Sequence, residues 1–269
     1  MKIIFSKKKL LKDIRMLKNI GFVPTMGSLH KGHISLIKKS LSQSSKTLVS
    51  IYVNKPQFNK TYDFKSYPRN LRKDISILKK IKVDYLYIPV TKDIYPKGPN
   101  KNIRIDKFEK RLCGKFRPGH FKAVADVVYR FIKIINPKRI YLGEKDMQQL
   151  KLIEKFFKQK YIKTKIISCK IIRERNGIPC SSRNILLNKK EKQIASKIYK
   201  FLINKKNKIV KNKIKTTNLI DHFFKIGVSK VDYIELLDIN KIIKPYRKKN
   251  NYKIFIAYYL NKTRLIDNI

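Results

Sequence analysis

The chain has 269 residues, with 66 Lys or Arg against 18 Asp or Glu and a formal net charge of +48 at pH 7. Such a surplus first suggests nucleic acid, yet only 13 of the basic residues are Arg and the Lys run evenly along the chain without a patch or tail, so specific nucleic-acid binding is not expected. The 42 % hydrophobic content is that of a globular protein, and no run of 18 apolar residues or apolar leader segment is present, so neither a membrane span nor a secretory leader is expected.

From residue 19 the pattern alternates short β-branched or aromatic runs with amphipathic stretches. Strands are expected at 19–24, 47–53, 85–90, 139–143 and 165–171, and helices at 33–44, 70–81, 122–135 and 147–158. Repeated βα units predict an α/β fold with a mostly parallel, doubly wound sheet and ligands at the carboxyl ends of its strands. After Arg175-Asn176-Gly177 the character changes to a Lys-rich helical stretch at 189–208 and short strands at 231–238, 252–260 and 263–266. We therefore expect two domains, 1–174 and a smaller α/β domain over 175–269, with a hinge near 172–180. Cys113, Cys169 and Cys180 form no CxxC pair and read as reduced thiols of a cytoplasmic protein.

Chemistry concentrates in a few strings. In Pro24-Thr25-Met26-Gly27-Ser28-Leu29-His30-Lys31-Gly32-His33, two of the chain's four histidines lie three apart where a strand turns into a helix. A helix N-terminus favours an anion, and glycines let backbone approach it. The string reads as a nucleotide phosphate site, with a merely capped helix or a zinc site as the alternatives; zinc lacks a third ligand at usable spacing, and no protein-bound metal is expected. Gly143-Glu144-Lys145-Asp146-Met147-Gln148-Gln149 follows a later strand, where Lys145 supplies a cation and Gln149 a donor and acceptor. Cys180-Ser181-Ser182-Arg183 reads as a phosphate clamp or, more plainly, as a helix cap. Gln57, in a strand-to-turn string, sits where a substrate amide contact is expected. Arg117-Pro118-Gly119-His120-Phe121 is a basic turn in which His120 caps or packs.

Taken together, PTMGxLHxGH, SIxVNxxQF, YPRxLxxD, IYPxG, RPGHF, GEKDxQQL, SSRN and KTRLIDN resemble the pantothenate synthetase (pantoate-β-alanine ligase) family nearly end to end, within the wider HxGH nucleotidylyltransferases. The resemblance implies a Rossmann-like domain, a C-terminal lid and a homodimer. It implies ATP-dependent conversion of (R)-pantoate to pantoyl adenylate and pyrophosphate, then attack by β-alanine to give pantothenate and AMP. Carried over by position, His33, His30 and Lys145 are catalytic. Met26 to His33, Gly143 to Asp146, backbone at Ile172, and Cys180, Ser181, Ser182 and Arg183 contact ATP; Gln57 and Gln149 hold pantoate. Mg²⁺ is expected with ATP, with Asp74 as a possible supporting group. Departures from the family pattern are Pro56 in VNKPQF, expected to change the bend of the loop holding Gln57, and Ala123 and Asp126 in FKAVAD, expected to narrow the helix approach beside the site. The rival readings are another HxGH nucleotidylyltransferase and, on charge alone, a nucleic-acid-binding module, which predicts clustered Arg with exposed aromatics.

Overall fold

The computed structural model describes residues 1–211, 213–214, 216–239 and 252–269. In chain order the elements are β1 (Lys2–Ile4), α1 (Lys7–Ile14), β2 (Ile20–Thr25), α2 (Lys31–Gln43), β3 (Lys46–Ile51), α3 (Thr61–Lys65), α4 (Leu71–Lys80), β4 (Tyr85–Tyr87), α5 (Thr91–Ile94), α6 (Cys113–Phe116), α7 (His120–Ile135), β5 (Arg139–Gly143), α8 (Met147–Gln159), β6 (Lys165–Cys169), α9 (Lys189–Val210), α10 (Ile220–Lys225), β7 (Lys230–Asp238), β8 (Tyr252–Leu260) and β9 (Thr263–Asn268). The strands and helices expected between residues 19 and 171 are all present. The largest discrepancy is at β4, which stops at Tyr87, shortly before Pro89, a residue with no N–H for a ladder. The N-terminal β1 and α1 escaped the periodicity because their few core residues, Ile4, Leu10 and Ile14, are diluted by Lys.

Six strands form one parallel sheet in the order β1-β4-β3-β2-β5-β6. The order runs outward from β2 in both directions, through β3 on one side and β5 on the other, so the topological switch point lies between β2 and β5. Helix α7 lies over the sheet with its apolar face buried, and Phe131 packs its ring 5.4 Å from that of Phe22 on β2. On the opposite face, Leu36 and Ile37 of α2 join Val23, Val49 and Leu86.

The C-terminal region forms a three-stranded antiparallel sheet, β7-β8-β9. Strand β8 is buried on both faces: Ile254, Ile256, Tyr258 and Leu260 point toward α9 and α10, whereas Phe255 and Ala257 join the core of the large sheet's layer. The strict two-residue alternation of a strand makes this division possible. Helix α9 is started by a reciprocal capping box between Asn188 and Glu191. The expected hinge is a bonded turn. Arg173 pairs with Pro179 as an isolated bridge, and the Cys180 N–H donates to the Ile172 carbonyl at 2.9 Å.

Phe156 on α8 is fully buried and meets Tyr129 edge to face at 5.8 Å, and it lines neither cavity described below. Phe156→Ala is expected to cost about 3–5 kcal/mol of unfolding free energy in urea, through lost contacts and the cavity left behind.

Candidate active site

The large sheet opens where the sequence places its two richest strings. Strand β2 pairs with β3 as far as Thr25↔Ile51, and β5 pairs with β6 as far as Gly143↔Cys169. Between β2 and β5 the ladder stops at Phe22↔Ile140. The carboxyl ends of the two central strands therefore part, and a cavity of about 240 Å³ occupies the gap. It adjoins a wider cleft of about 1040 Å³ toward the C-terminal sheet, and the two share Arg117, Lys145, Asp146, Ser181 and Arg183.

The loop after β2 is held in an otherwise costly shape. Gly27 and Ser28 have φ of +77° and +51°, and the buried Asp74 carboxylate on α4 accepts the N–H groups of Ser28 and Leu29, each at 2.8 Å. With both oxygens so engaged, Asp74 anchors the loop. His30 caps α2, its Nδ1 accepting the Gly32 N–H at 3.1 Å. A Cβ at Gly32 would come within 2.9 Å of the His30 ring, so only glycine leaves the imidazole in place.

His30 and His33 lie with ring centroids 4.0 Å apart. Burial and the nearby Lys145 charge lower the His30 pKa to about 4. Burial, His30 and Lys145 hold His33 well below the usual histidine value. Both rings are therefore neutral at pH 7. Because His30 Nδ1 is an acceptor, its proton sits on Nε2, which leaves an N–H donor. His33 Nδ1 is buried without a hydrogen-bond partner among the described residues, a costly state that a ligand or water would relieve.

The loop after β5 brings Gly143, Lys145, Asp146 and Gln149 to the same cavity. Gly143 has ordinary extended backbone, and a Cβ there would meet open space. Lys145 is partly buried, and among the described residues its Nζ pairs with Asp146, at 3.4 Å. Gln57, on the opposite wall, is tightly placed: its Oε1 accepts from Asn54 Nδ2 at 3.1 Å, and its carbonyl accepts from His120 Nδ1 at 2.8 Å and Arg117 at 3.2 Å. Asn54 in turn accepts from the Tyr95 hydroxyl at 2.8 Å. The Gln149 amide makes no hydrogen bond to another described side chain.

Ile172, Cys180, Ser181, Ser182 and Arg183 complete the lining. The carbonyl of Ile172 is taken by Cys180, which leaves its N–H for any backbone contact to a base. Ser181 caps the short 3₁₀ turn at Ser182–Leu186, and Ser182 Oγ donates to the Ser28 carbonyl at 3.0 Å, so the plain capping role and the site position coexist. Arg183 pairs with both oxygens of Asp63 at 2.9 and 3.0 Å. Five of the expected nucleotide contacts are not in the lining of this cavity. Gly27 and Ser28 shape the turn, Leu29 packs in the core, Lys31 is exposed, and Glu144 has its carbonyl bonded to Asn268. Asp126 also departs from expectation. Its carboxylate takes Arg130 Nε at 2.7 Å and the Asn100 N–H at 2.8 Å, which fixes a loop and does not narrow the site.

The family model for pantoate-beta-alanine ligase matches residues 2–269. The chain belongs to this family. A pantothenate synthetase from Pseudothermotoga lettingae is 39 % identical over 97 % of this chain and 94 % of its own length, and one from Clostridium botulinum is 39 % identical over 96 % of each. Among solved structures, the Francisella tularensis pantoate-beta-alanine ligase, complexed with Beta-gamma ATP and Beta-alanine, superposes with a TM-score of 0.84 at 39 % identity, covering 100 % of this chain and 97 % of that one. Thermus thermophilus pantothenate synthetase gives 0.87 at 27 % identity, covering 100 % and 99 %. The rival readings of the sequence are not favoured by these matches.

Sequence reasoning undervalued several residues of this ligase. Asn54, Tyr67, Arg117 and His120 line the cavity, and the last two hold the Gln57 carbonyl. The signal was there in VNKPQF and RPGHF, but the contact joining them is long-range. Asp63, which holds Arg183, lies in a polar stretch with no distinguishing pattern.

The loop anchor and the histidines give two expectations. Asp74→Ala should destabilise the fold by about 2–4 kcal/mol in chemical unfolding, since it strands two buried N–H groups and removes charged hydrogen bonds. As pH falls from 6.5 toward 4 the unfolded chain takes protons that folded His30 resists, so stability present above pH 6.5 is lost on acidification. His30→Gln should flatten that decline by up to about 3 kcal/mol, measured as unfolding free energy against pH.

Proposed function

We propose that this ATP-dependent pantoate–β-alanine ligase forms its amide through a pantoyl adenylate held at the parting of β2 and β5. The convergence of His30, His33, Lys145 and Arg183 on one cavity, with Gln57 and Gln149 on its walls, supports the reading. A carboxylate oxygen of pantoate attacks the α-phosphorus of ATP, and pyrophosphate leaves with the electron pair of the broken P–O bond. The β-alanine amine, as free base, then attacks the acyl carbon; the C–O bond breaks and AMP departs with that oxygen.

Phosphoryl chemistry of this kind asks the protein mainly for in-line positioning and stabilisation of growing negative charge. Neutral imidazoles of His30 and His33, the Lys145 ammonium and the start of α2 supply it. Gln57, oriented by Asn54, and the uncommitted Gln149 amide hold pantoate. Arg183 and Ser181 take the polyphosphate, Arg183 exchanging Asp63 for phosphate oxygens, and the Ile172 N–H meets the base. Mg²⁺ would accompany the nucleotide and neutralise charge on the phosphates, with phosphate oxygens and water as its ligands.

Residues 1–174 act as the binding domain and 175–269 as a lid that excludes water from the acyl adenylate. The family resemblance supports a homodimer, checked by light scattering. The three free, buried thiols suit a reducing cytoplasm, and no helix of the described residues is long and apolar enough to cross a membrane.

ATP–pyrophosphate exchange should require pantoate, and AMP should accumulate only once β-alanine is added. His33→Ala or Lys145→Ala is expected to slow exchange at least ~10²-fold; near-normal exchange in both would place the chemistry elsewhere.

A further inference from the structure

The C-terminal string Lys262-Thr263-Arg264-Leu265-Ile266-Asp267-Asn268 has no part in the chemistry above, yet its end reaches the site's framework. Asn268, the last residue of β9, is 2 % exposed. Both hydrogens of its amide are used: Nδ2 donates to the Glu144 carbonyl and to the Lys145 carbonyl, each at 2.9 Å. Its Oδ1 accepts from Lys253 Nζ at 3.0 Å, which fixes the amide against a flip. Its own N–H donates to Asp267 Oδ1 at 2.7 Å.

Asp267 carries the connection to the other wall. Its carboxylate pairs with Arg173 through two hydrogen bonds of 2.7 and 2.9 Å, a strong fork-to-fork geometry. Arg173 follows Ile172 directly, donates to the Gly177 carbonyl at 3.0 Å, and lies over the Tyr199 ring at 4.3 Å. One strand end thus grips the 144–146 turn and the 173–177 turn together.

Lys145 has little else to fix it. Among the described residues its ammonium has one hydrogen-bond partner, Asp146 at 3.4 Å, so where the charge sits depends on where the backbone of the turn sits. We propose that Asn268 is a positioning residue that sets Lys145 for adenylate formation by holding the backbone of the 144–146 turn through its amide. The proposal rests on the reading of Lys145 as the cation at the reacting phosphate. A small displacement of such a group costs rate steeply, while a contact made only through the turn should leave pantoate binding nearly untouched.

The test is a double-mutant cycle on the full-length enzyme, read by pantoate-dependent ATP–pyrophosphate exchange. Asn268→Leu keeps the volume and removes the donors. It is expected to lower kcat about tenfold or more while KM for pantoate stays within about twofold. In a Lys145→Ala background the same change should have little further effect, because the group it positions is gone. An unchanged kcat in Asn268→Leu, or a loss that adds in full to that of Lys145→Ala, would overturn the proposal. Normal exchange in Lys145→Ala alone would overturn the reading of Lys145, and that single variant keeps the two failures distinct. Should Asn268→Leu not fold, Lys253→Met frees the amide without removing it. A loss of about threefold in kcat, again absent without Lys145, is expected, and an unaltered rate would count equally against the proposal.

Discussion

The site depends on one break in a ladder. Strands β2 and β5 are hydrogen-bonded at Phe22 and Ile140 and no further toward their carboxyl ends, while each remains paired to its other neighbour to the end. In a parallel sheet wound outward in both directions, that parting is where helices on opposite faces leave room for a ligand. Both loops that follow these strands then face the same gap. The proposed catalytic groups, from the histidine pair to Lys145, lie on two loop ends brought together by strand order.

The refinements are largely the business of the scarce acids. Against 66 basic residues the chain has 18 acidic ones, and several stand at junctions: Asp74 on the first loop, Asp63 on Arg183, Asp126 on Arg130, Asp267 on Arg173. Each fixes backbone or a guanidinium, and of the guanidiniums Arg183 lines the cavity itself. The Lys surplus is by contrast a surface property. A positive coat of this kind attracts anions in a salt-dependent way, and one member, Lys145, adds to the lowering of the His30 and His33 pKa values.

Much of this was legible in the sequence, for physical reasons that differ by element. The βα alternation reported the sheet because parallel strands are apolar on both faces and helices carry a stripe. The HxGH and GEKD strings reported the site because strand-to-helix turns put them at the sheet's carboxyl edge. What was not legible lies in long-range pairs. Nothing local to Asp74 announces that its carboxylate will serve a loop 45 residues earlier, and Asn268 looks like the tail of a strand until Glu144 and Lys145 are folded against it. The bonds at the expected hinge are of the same kind: the turn near 172–180 was visible from its change of character, whereas the pairing of Arg173 with Asp267 on β9 was not.

The central claim is that the carboxylate of pantoate attacks the α-phosphate in this gap. Pantoate labelled with ¹⁸O in both carboxylate oxygens tests it, with products of a complete turnover analysed by mass spectrometry. The account predicts one labelled oxygen in the phosphate of AMP and the other in the new amide carbonyl. AMP free of label, or label in the pyrophosphate, would contradict it.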